Sequence, residues 1–298
     1  MTHGVVSIAR DPEDALASRP AVDWAVGQLR AALEGKGTRV GLGETGPAGD
    51  PADLALLVAG SQSEGARAIL GGAGVSIPEV PEALALVPGG ADGGRVLLAG
   101  GNDERGLVYV VLELADRVGH AADPLEALRI VAPIVQRPAN AVRSVARLFT
   151  SEKDDKPWFQ DEGSWRRYLS MVVAQRFNRV NFMVGLGYNF PWHVTDGYLY
   201  FAYPFFVDVP GSGVRVPHLS DEERERNLAI LRFASDQAAA RGLDFSLGLW
   251  THAYEWFDSP DARYRVEGLT PERHAGYCRD ALQAVLEACP AIGGLTIR

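Results

Sequence analysis

The chain has 298 residues, of which 47% are hydrophobic and 22% charged, and its formal net charge is −9 at pH 7. This composition is ordinary for a globular protein, and the length suggests about two domains. The acidic balance argues against a nucleic-acid or anionic-membrane surface, so neither partner is expected. Because the chain has only two cysteines, we predict no disulfide framework.

Targeting and cofactor signals are absent from the sequence pattern. The N-terminal segment lacks a basic stretch followed by an apolar run, so no signal peptide is expected. No apolar run approaches the roughly 18 residues of a membrane span. His193, His218 and His252 do not have the spacing of metal ligands, and we expect no metal or other cofactor. A cytoplasmic protein is therefore the expectation.

The first part of the chain alternates short apolar runs with amphipathic segments. In chain order, the pattern predicts a strand at 5–9, a helix at 21–34, strands at 38–42 and 52–59, a helix at 64–70, strands at 83–88 and 95–99, and a helix at 107–118. This alternation predicts one sheet covered by helices.

A proline and a polar stretch at 134–140 (IVQRPAN) separate the two parts. We predict an N-terminal α/β sandwich domain at 1–138 and a second domain at 139–298. The second domain repeats strand and helix, with strands at 142–149, 179–186, 244–250 and from 295, and helices at 163–175, 221–241 and 271–288. A (β/α)8 barrel has this alternation of strands and helices, and a doubly wound sheet has it equally.

The faces of the predicted strands favour the barrel. Val180, Phe182 and Val184 form one apolar face of the second strand, whereas Asn181 and Met183 lie opposite. A doubly wound sheet would be apolar on both faces. The predicted fold is therefore α/β, with a partial (β/α)8 TIM barrel of about four strands after the N-terminal domain. In its first strand, 142–149, we predict that Arg143 and Arg147 lie on the pocket face.

A glycine-rich segment after the strand at 38–42 matches G-x-G-x-x-G, from Gly41 to Gly46. A dinucleotide site requires a helix directly after this motif, because the helix N-terminus receives the pyrophosphate. Pro47 and Pro51 follow instead. The pattern therefore favours a glycine-rich turn over a dinucleotide site.

Two segments resemble one group of glycoside hydrolases. The sequence at 97–109 (LLAGGNDERGLVY) resembles the end of the N-terminal α/β domain that precedes the barrel in β-N-acetylhexosaminidases and α-glucuronidases. The sequence at 143–149 (RSVARLF) resembles the first barrel strand of the same families. Departures are Val110, where those families often have glycine, a missing aspartate in the first strand, and MVGLGYN at 183–189 in place of His-x-His-Leu-Thr-Asp. The resemblance therefore indicates a clan of enzymes and no single activity.

The resemblance implies a carbohydrate substrate bound at the carboxyl ends of the barrel strands. Glycosidases use a carboxylic acid to protonate the leaving oxygen. In the similar families this acid follows the fourth strand, whereas the sequence ends at Arg298, within the predicted fourth strand. The expectation is the N-terminal portion of a glycoside hydrolase, truncated at strand 4, without catalytic residues and inactive alone.

Several residues are predicted to bind the sugar. The resemblance assigns Arg143 to sugar hydroxyls, and Arg147 suits hydroxyls or a uronic carboxylate. Pairing with structural carboxylates is the alternative for both arginines. Aromatic rings stack on sugars and amides bind hydroxyls, while packing within a loop remains open for the aromatic residues. The predicted substrate-binding set is Arg143, Arg147, Asn181, Tyr188, Asn189, Trp250 and His252.

Three functions compete at this point. The first is a glycoside hydrolase, and the second is a non-catalytic carbohydrate-binding or assembly module on the same scaffold. The third is an unrelated barrel enzyme that acts on a small anionic substrate through its arginines. Because half a barrel has open parallel edges, we also expect self-association through these edges.

Overall fold

A computed structural model describes residues 4–43, 52–89, 95–185, 201–250 and 264–297. The chain divides into two compact units. The first comprises Met1–Val142, Val173–Arg176 and Ala240–Gly242, and the second comprises Arg143–Val172, Phe177–Ala239 and Leu243–Arg298. None of the described helices is long and apolar enough to cross a membrane.

The first unit contains a six-stranded mixed sheet. Its strands are β1 (Val5–Arg10), β2 (Arg39–Leu42), β3 (Leu54–Gly60), β4 (Leu84–Gly89), β5 (Val96–Gly101) and β6 (Ile134–Gln136). Their order in the sheet is β2-β1-β3-β5-β4-β6. Neighbours among β2, β1, β3 and β5 are parallel, whereas β4 runs antiparallel to both β5 and β6.

The helices in the described part of this unit are α1 (Pro20–Gly35), α2 (Glu64–Gly72), α3 (Glu104–His120) and α4 (Pro124–Ala127). The start of α3 is capped by Asp103, whose carboxylate accepts the N–H of Gly106 at 2.8 Å. On α2, Leu70 packs with Leu98 on one face of the sheet. Leu56 on the other face is also fully buried. The sheet is therefore apolar on both faces, as a sheet covered on both sides requires.

The second unit contains a four-stranded sheet that is entirely parallel. Its strands, β7 (Ser144–Phe149), β8 (Arg179–Val184), β9 (Asp244–Leu249) and β10 (Ile292–Ile297), are neighbours in chain order. Its helices are α5 (Glu152–Phe159), α6 (Glu162–Ala174), α7 (Tyr203–Phe206), α8 (Asp221–Ala239) and α9 (Pro271–Ala288). The chain is therefore a mixed α/β protein with parallel strands in both sheets.

Aromatic rings fill the core of the second unit. Phe182 is fully buried on β8, stacks on Phe159 with centroids 5.3 Å apart, and meets Trp165 edge-on at 5.4 Å. The Trp165 indole N–H donates to the carbonyl of Phe159 at 2.8 Å, so the ring is buried with its polar atom satisfied. This face of the sheet is therefore the one that α5 and α6 cover.

Local signals in the second unit give mixed results. Ser220 caps α8, because its hydroxyl accepts the N–H of Glu223 at 3.2 Å. Thr270 stands at the N-cap of α9, but its side chain makes no capping hydrogen bond to the backbone. No helix was predicted between the strand at 142–149 and the helix at 163–175, but Asp154 and Asp155 belong to one. Both lie on α5, where Ser151 accepts the N–H of Asp154 and caps the helix.

Candidate functional site

The four parallel strands of the second unit end level with one another. Phe149 pairs with Val184, Val184 with Leu249, and Leu249 with Ile297. In α/β proteins with parallel strands, ligands bind beyond the carboxyl ends of the strands. We call this end of the sheet the carboxyl edge, and a binding site is expected there first.

The sheet face opposite the aromatic core carries neutral polar side chains among small and apolar ones. We call this the open face, defined by alternate strand residues: Ser144, Ala146, Leu148, Arg179, Asn181, Met183, Asp244, Ser246, Gly248, Gly294 and Thr296. The Asn181 amide donates to the Ser144 hydroxyl at 2.6 Å. Arg179 and Asp244, at the amino end, form an ion pair of 3.5 Å. Hydroxyl and amide groups of this kind suit a hydrogen-bonding, uncharged ligand.

Arg147 does not lie on this open face, so its predicted pocket position is wrong. It pairs with Phe182 in register and therefore shares the helix-covered face. Its guanidinium carbon stacks 3.9 Å from the centre of the Trp158 ring. Since Phe149 on the same face is 2% exposed, burying that ring determines the orientation of β7. Arg147 can occupy the helix-covered face because its alkyl stem can pack there and its guanidinium stacks on the Trp158 indole.

Arg143 precedes β7 and follows the same alternation, so it also falls on the helix-covered side. Its backbone is tied to the neighbouring strand. The Arg143 N–H donates to the Asn178 side-chain oxygen at 2.9 Å, and the Asn178 N–H donates to the Arg143 carbonyl at 2.9 Å. The sequence alternation was correct for this strand, and the assignment of its two faces was reversed.

The remaining predicted residues divide into those described and those outside the described residues. Asn181 lies on the open face as expected. Trp250 follows β9 directly at the carboxyl edge and is half-buried. Tyr188, Asn189 and His252 lie outside the described residues. The sugar-binding role of the whole predicted set stays a prediction.

Sequence reasoning missed a compact polar cluster in the second unit, which we call the anchor cluster: Glu152, Lys156, Glu223 and Tyr264. The Lys156 ammonium donates to Glu152 at 3.0 Å and also to Glu223. The Tyr264 hydroxyl donates to the same Glu152 oxygen at 2.8 Å. The one available signal was the (i, i+4) spacing of Glu152 and Lys156, which favours an ion pair on a helix.

Burial and charge affect the ionisation of this cluster. Burial, reinforced by the hydrogen bond to Glu152, raises the pKa of Tyr264 to about 12. Burial alone would lower the pKa of Lys156, but the hydrogen bonds to Glu223 and Glu152 outweigh it and raise the pKa. At neutral pH, Tyr264 is thus a neutral donor and Lys156 a cation. The cavity lined by Lys156 and Asn227 measures about 10 Å³, so it cannot hold a sugar.

The first sheet has its own candidate crevice between β1 and β3. From this pair, the chain adds β2 on one side of the sheet and β5 on the other, so the strand order reverses between β1 and β3. Open α/β sheets bind ligands at such a point of reversal. Here the Asp14 carboxylate accepts the N–H groups of Gly60 and Leu16. A Cβ on Gly60 would lie 3.0 Å from the Leu16 side chain. The chain's own segment at Asp14–Leu16 therefore fills this crevice.

A groove of about 610 Å³ also lies in the first unit. Glu82, on its wall, has a positive φ of 64° and is 5% exposed. Its carboxylate is 3.6 Å from the Arg105 guanidinium, so the buried charge is compensated. Among the described residues, no group of three or more His, Cys, Asp or Glu side chains could hold a metal ion.

No family model matches the chain, and no curated protein matches it. Solved structures do resemble it. A GH138 enzyme targeting pectin rhamnogalacturonan II is 17% identical with a TM-score of 0.60, over 98% of this chain and 30% of its own. CpGH84B is 12% identical with a TM-score of 0.52, over 100% of this chain and 40% of its own. CpGH84D is 12% identical with a TM-score of 0.51, over 98% and 40%.

At these identities the similarity shows the fold alone. The chain spans only 30% to 40% of the length of these solved structures. The neighbours are glycoside hydrolases, as the resemblance at 97–109 and 143–149 implied, although the similarity does not distinguish hexosaminidase from glucuronidase. The chain therefore has a glycoside-hydrolase-like fold.

Proposed function

We propose that this chain is the N-terminal portion of a glycoside hydrolase, and that its second unit binds carbohydrate at the carboxyl edge. Residues 1–138 would be the N-terminal α/β domain and residues 139–298 the first half of a (β/α)8 barrel. The observation that carries the proposal is the order of β7, β8, β9 and β10, all parallel and adjacent in chain order. A barrel is built in this way, whereas a doubly wound sheet reverses its strand order.

Two features of the second sheet support a sugar ligand. The open face presents the amide of Asn181 and the hydroxyl of Thr296, which can exchange hydrogen bonds with sugar hydroxyls. Trp250 stands at the carboxyl edge, where an indole can stack on the apolar face of a pyranose ring. Pectic oligosaccharides are the first class to test, because the similar GH138 enzyme targets pectin rhamnogalacturonan II.

The binding test is a calorimetric titration of the 298-residue chain with rhamnogalacturonan II oligosaccharides and with methyl N-acetyl-β-D-glucosaminide. Trp250→Ala should weaken the binding by about five-fold or more, because a stacked aromatic contributes on the order of 1 kcal/mol or more. Trp24→Ala, in the first unit, is the matched control and should leave the affinity unchanged. Equal losses in both variants, or no binding of any sugar, would contradict the proposal.

We propose that the general acid follows the fourth strand and lies beyond the 298 residues. On the open face of the described strands, Asp244 is the one carboxylate, and it is paired with Arg179 at the amino end. If the general acid lies there, the chain alone should not hydrolyse aryl glycosides. Cleavage of such substrates by the 298-residue chain would show that this assignment is wrong.

One alternative is a non-catalytic carbohydrate-binding module on this scaffold. The hydroxyl and amide groups of the open face would suit sugar binding in such a module as well. A longer chain that includes the residues after Arg298 separates the two functions. Hydrolysis by the longer chain supports the glycosidase, and binding without hydrolysis supports the module.

Self-association is a further part of the proposal. Among the described strands, β7 pairs only with β8, and β10 only with β9. Leu295 and Ile297 on β10 are 40% and 57% exposed. Unpaired edges with exposed apolar side chains favour association with another edge. Sedimentation velocity should show concentration-dependent dimers, and a monomer at all concentrations would contradict this expectation.

A further inference from the structure

The anchor cluster joins parts of the second unit that are far apart in sequence. Glu152 and Lys156 lie on α5, directly after β7. Glu223 lies in the first turn of α8. Tyr264 is the first described residue after the connection that follows β9. The cluster therefore holds a connection at the carboxyl edge to α5 and to α8.

A second set of contacts extends the cluster to the connection that follows β8. Phe205, on α7 near the end of that connection, meets the Tyr264 ring edge-on with centroids 5.7 Å apart. The Asn227 amide donates to the Phe205 carbonyl at 3.1 Å. Gln160 in turn donates to Asn227 at 3.0 Å. Tyr264 and Phe205 are thus held against each other and against the same two helices.

The other side of α5 holds the end of β7. Asp155 accepts the N–H of Thr150 at 2.7 Å and the N–H of Ser151 at 3.0 Å. The Trp158 indole also donates to Asp155, at 2.9 Å. Helix α5 therefore contacts the carboxyl end of β7 through Asp155 and the rest of the cluster through Glu152.

The hydroxyl of Tyr264 is the critical contact in this arrangement. Glu152 is 9% exposed and Tyr264 is 4% exposed. Removing the hydroxyl takes a donor away from a buried carboxylate, and losing a partner of a buried charged group is more costly than losing a surface contact. The ion pairs of Lys156 would remain, so α5 and α8 should stay together while Tyr264 is released.

We infer that the anchor cluster is a positioning element, which holds Phe205 and Tyr264 against α5 and α8 beside the carboxyl end of β7 and in this way supports sugar binding at the carboxyl edge. This inference rests on the proposed function, because a positioning role needs a ligand at that edge. Tyr264 is a positioning residue here and is not assigned any contact with the ligand.

The first test measures hydrogen exchange in Tyr264→Phe, which keeps the ring and removes only the hydroxyl. Exchange in peptides 201–207 and 264–270 should become about five-fold faster, as expected for a contact worth about 1 kcal/mol. Glu267→Gln is the matched control, because it breaks the exposed ion pair between Arg215 and Glu267. Unchanged exchange in Tyr264→Phe would overturn the inference, whatever the sugar results.

The second test repeats the titration with rhamnogalacturonan II oligosaccharides and methyl N-acetyl-β-D-glucosaminide. Tyr264→Phe should weaken the affinity by about five-fold, and Glu267→Gln should not change it. Full affinity in Tyr264→Phe overturns the positioning role while the proposed function stands. No binding by the unaltered chain contradicts the proposed function and with it the positioning role, although the exchange result still shows whether the hydroxyl anchors these segments.

A further variant covers the case in which Tyr264→Phe does not fold. Glu223→Gln weakens the cluster from its more exposed side, since the Glu223 side chain is 23% exposed. The same peptides should exchange faster and the affinity should fall, both by less than in Tyr264→Phe. A lower melting temperature with unchanged exchange in these peptides and unchanged affinity would show a purely structural role and overturn the inference.

Discussion

The two sheets of this protein differ in how their faces are covered and in which residues lie at the carboxyl ends of their parallel strands. The first sheet is mixed, is buried on both faces, and has its crevice between β1 and β3 filled by Asp14 and Leu16. The second sheet is entirely parallel, with an aromatic face under helices and an open face of hydroxyl and amide groups. Both have parallel strands that end at one side, but the described part of the second sheet leaves polar groups near that side uncovered. Strand direction alone therefore does not identify a binding sheet, because in the first sheet the segment that follows β1 fills the crevice.

The largest expected effect tests the two faces of β8. Phe182→Ala should destabilise the second unit by about 3–5 kcal/mol, because it empties a fully buried aromatic site. Met183→Ala, on the open face of the same strand, is the matched control and should cost much less. Hydrogen exchange of residues 179–184 measures both variants. Equal effects would show that the open face is as well packed as the aromatic face.

A smaller effect tests the close packing of the first unit. A Cβ on Gly106 would lie 2.4 Å from the carbonyl oxygen of Ala83, whereas a Cβ on Gly119 meets nothing within 4 Å. Gly106→Ala should therefore destabilise the first unit by about 1–3 kcal/mol. Gly119→Ala, in the same helix, should stabilise it by about 0.5–1 kcal/mol. Denaturant unfolding, monitored by hydrogen exchange in α3, measures the free energy of unfolding of both variants. Changes of the same sign in Gly106→Ala and Gly119→Ala would contradict this packing.

A substitution at Arg147 tests directly which face of β7 is covered by helices and which is the open face. Arg147→Gln removes the stack on Trp158 and should cost about 0.5–1 kcal/mol. Its sugar affinity should stay unchanged, because the side chain lies on the helix-covered face. Asn181→Ala is the open-face counterpart and should weaken sugar binding with little loss of stability. A loss of affinity in Arg147→Gln larger than in Asn181→Ala would restore the pocket assignment of Arg147.

The smallest effect concerns pH and the start of α6. Hydrogen bonds from the Ser164 hydroxyl and the Gly163 N–H lower the pKa of Asp161. Because the folded pKa lies below the unfolded one, this stabilisation is present above the unfolded pKa and is lost as the pH falls through the folded pKa. Carboxyl NMR titration should show Ser164→Ala returning the Asp161 pKa toward its ordinary value. An unchanged titration would mean that the hydroxyl does not stabilise the carboxylate.

Much of the fold could be predicted from periodicity, because helices and strands bury residues at spacings of 3.6 and 2. The predicted helices and strands occur close to their predicted positions, but β6, α4 and α7 were not predicted, and β6 lies where a boundary between domains was expected. Helix α5 was missed because EKDDKPWF has few apolar residues and an internal proline. Its stability comes from tertiary contacts, which include the Lys156 ion pairs and the buried ring of Phe159.

The candidate site was only partly predictable. Alternation correctly separated Asn181 from Phe182, since each residue of a strand faces the side opposite to its neighbour. It could not tell which side the helices cover, so Arg147 was assigned to the wrong face. The anchor cluster could not be predicted from the sequence, because Glu152 and Tyr264 are 112 residues apart.

By itself, the sequence determined the elements, the α/β class and the residues that share a strand face, because these depend on neighbours along the chain. Only the tertiary structure decided which face of β7 is buried and which residues meet at the carboxyl edge. The reason is that burying Phe149 against α5 and α6 outweighs the cost of placing Arg147 beside them. Such a balance depends on contacts between distant segments, which exist only once the sheet has formed.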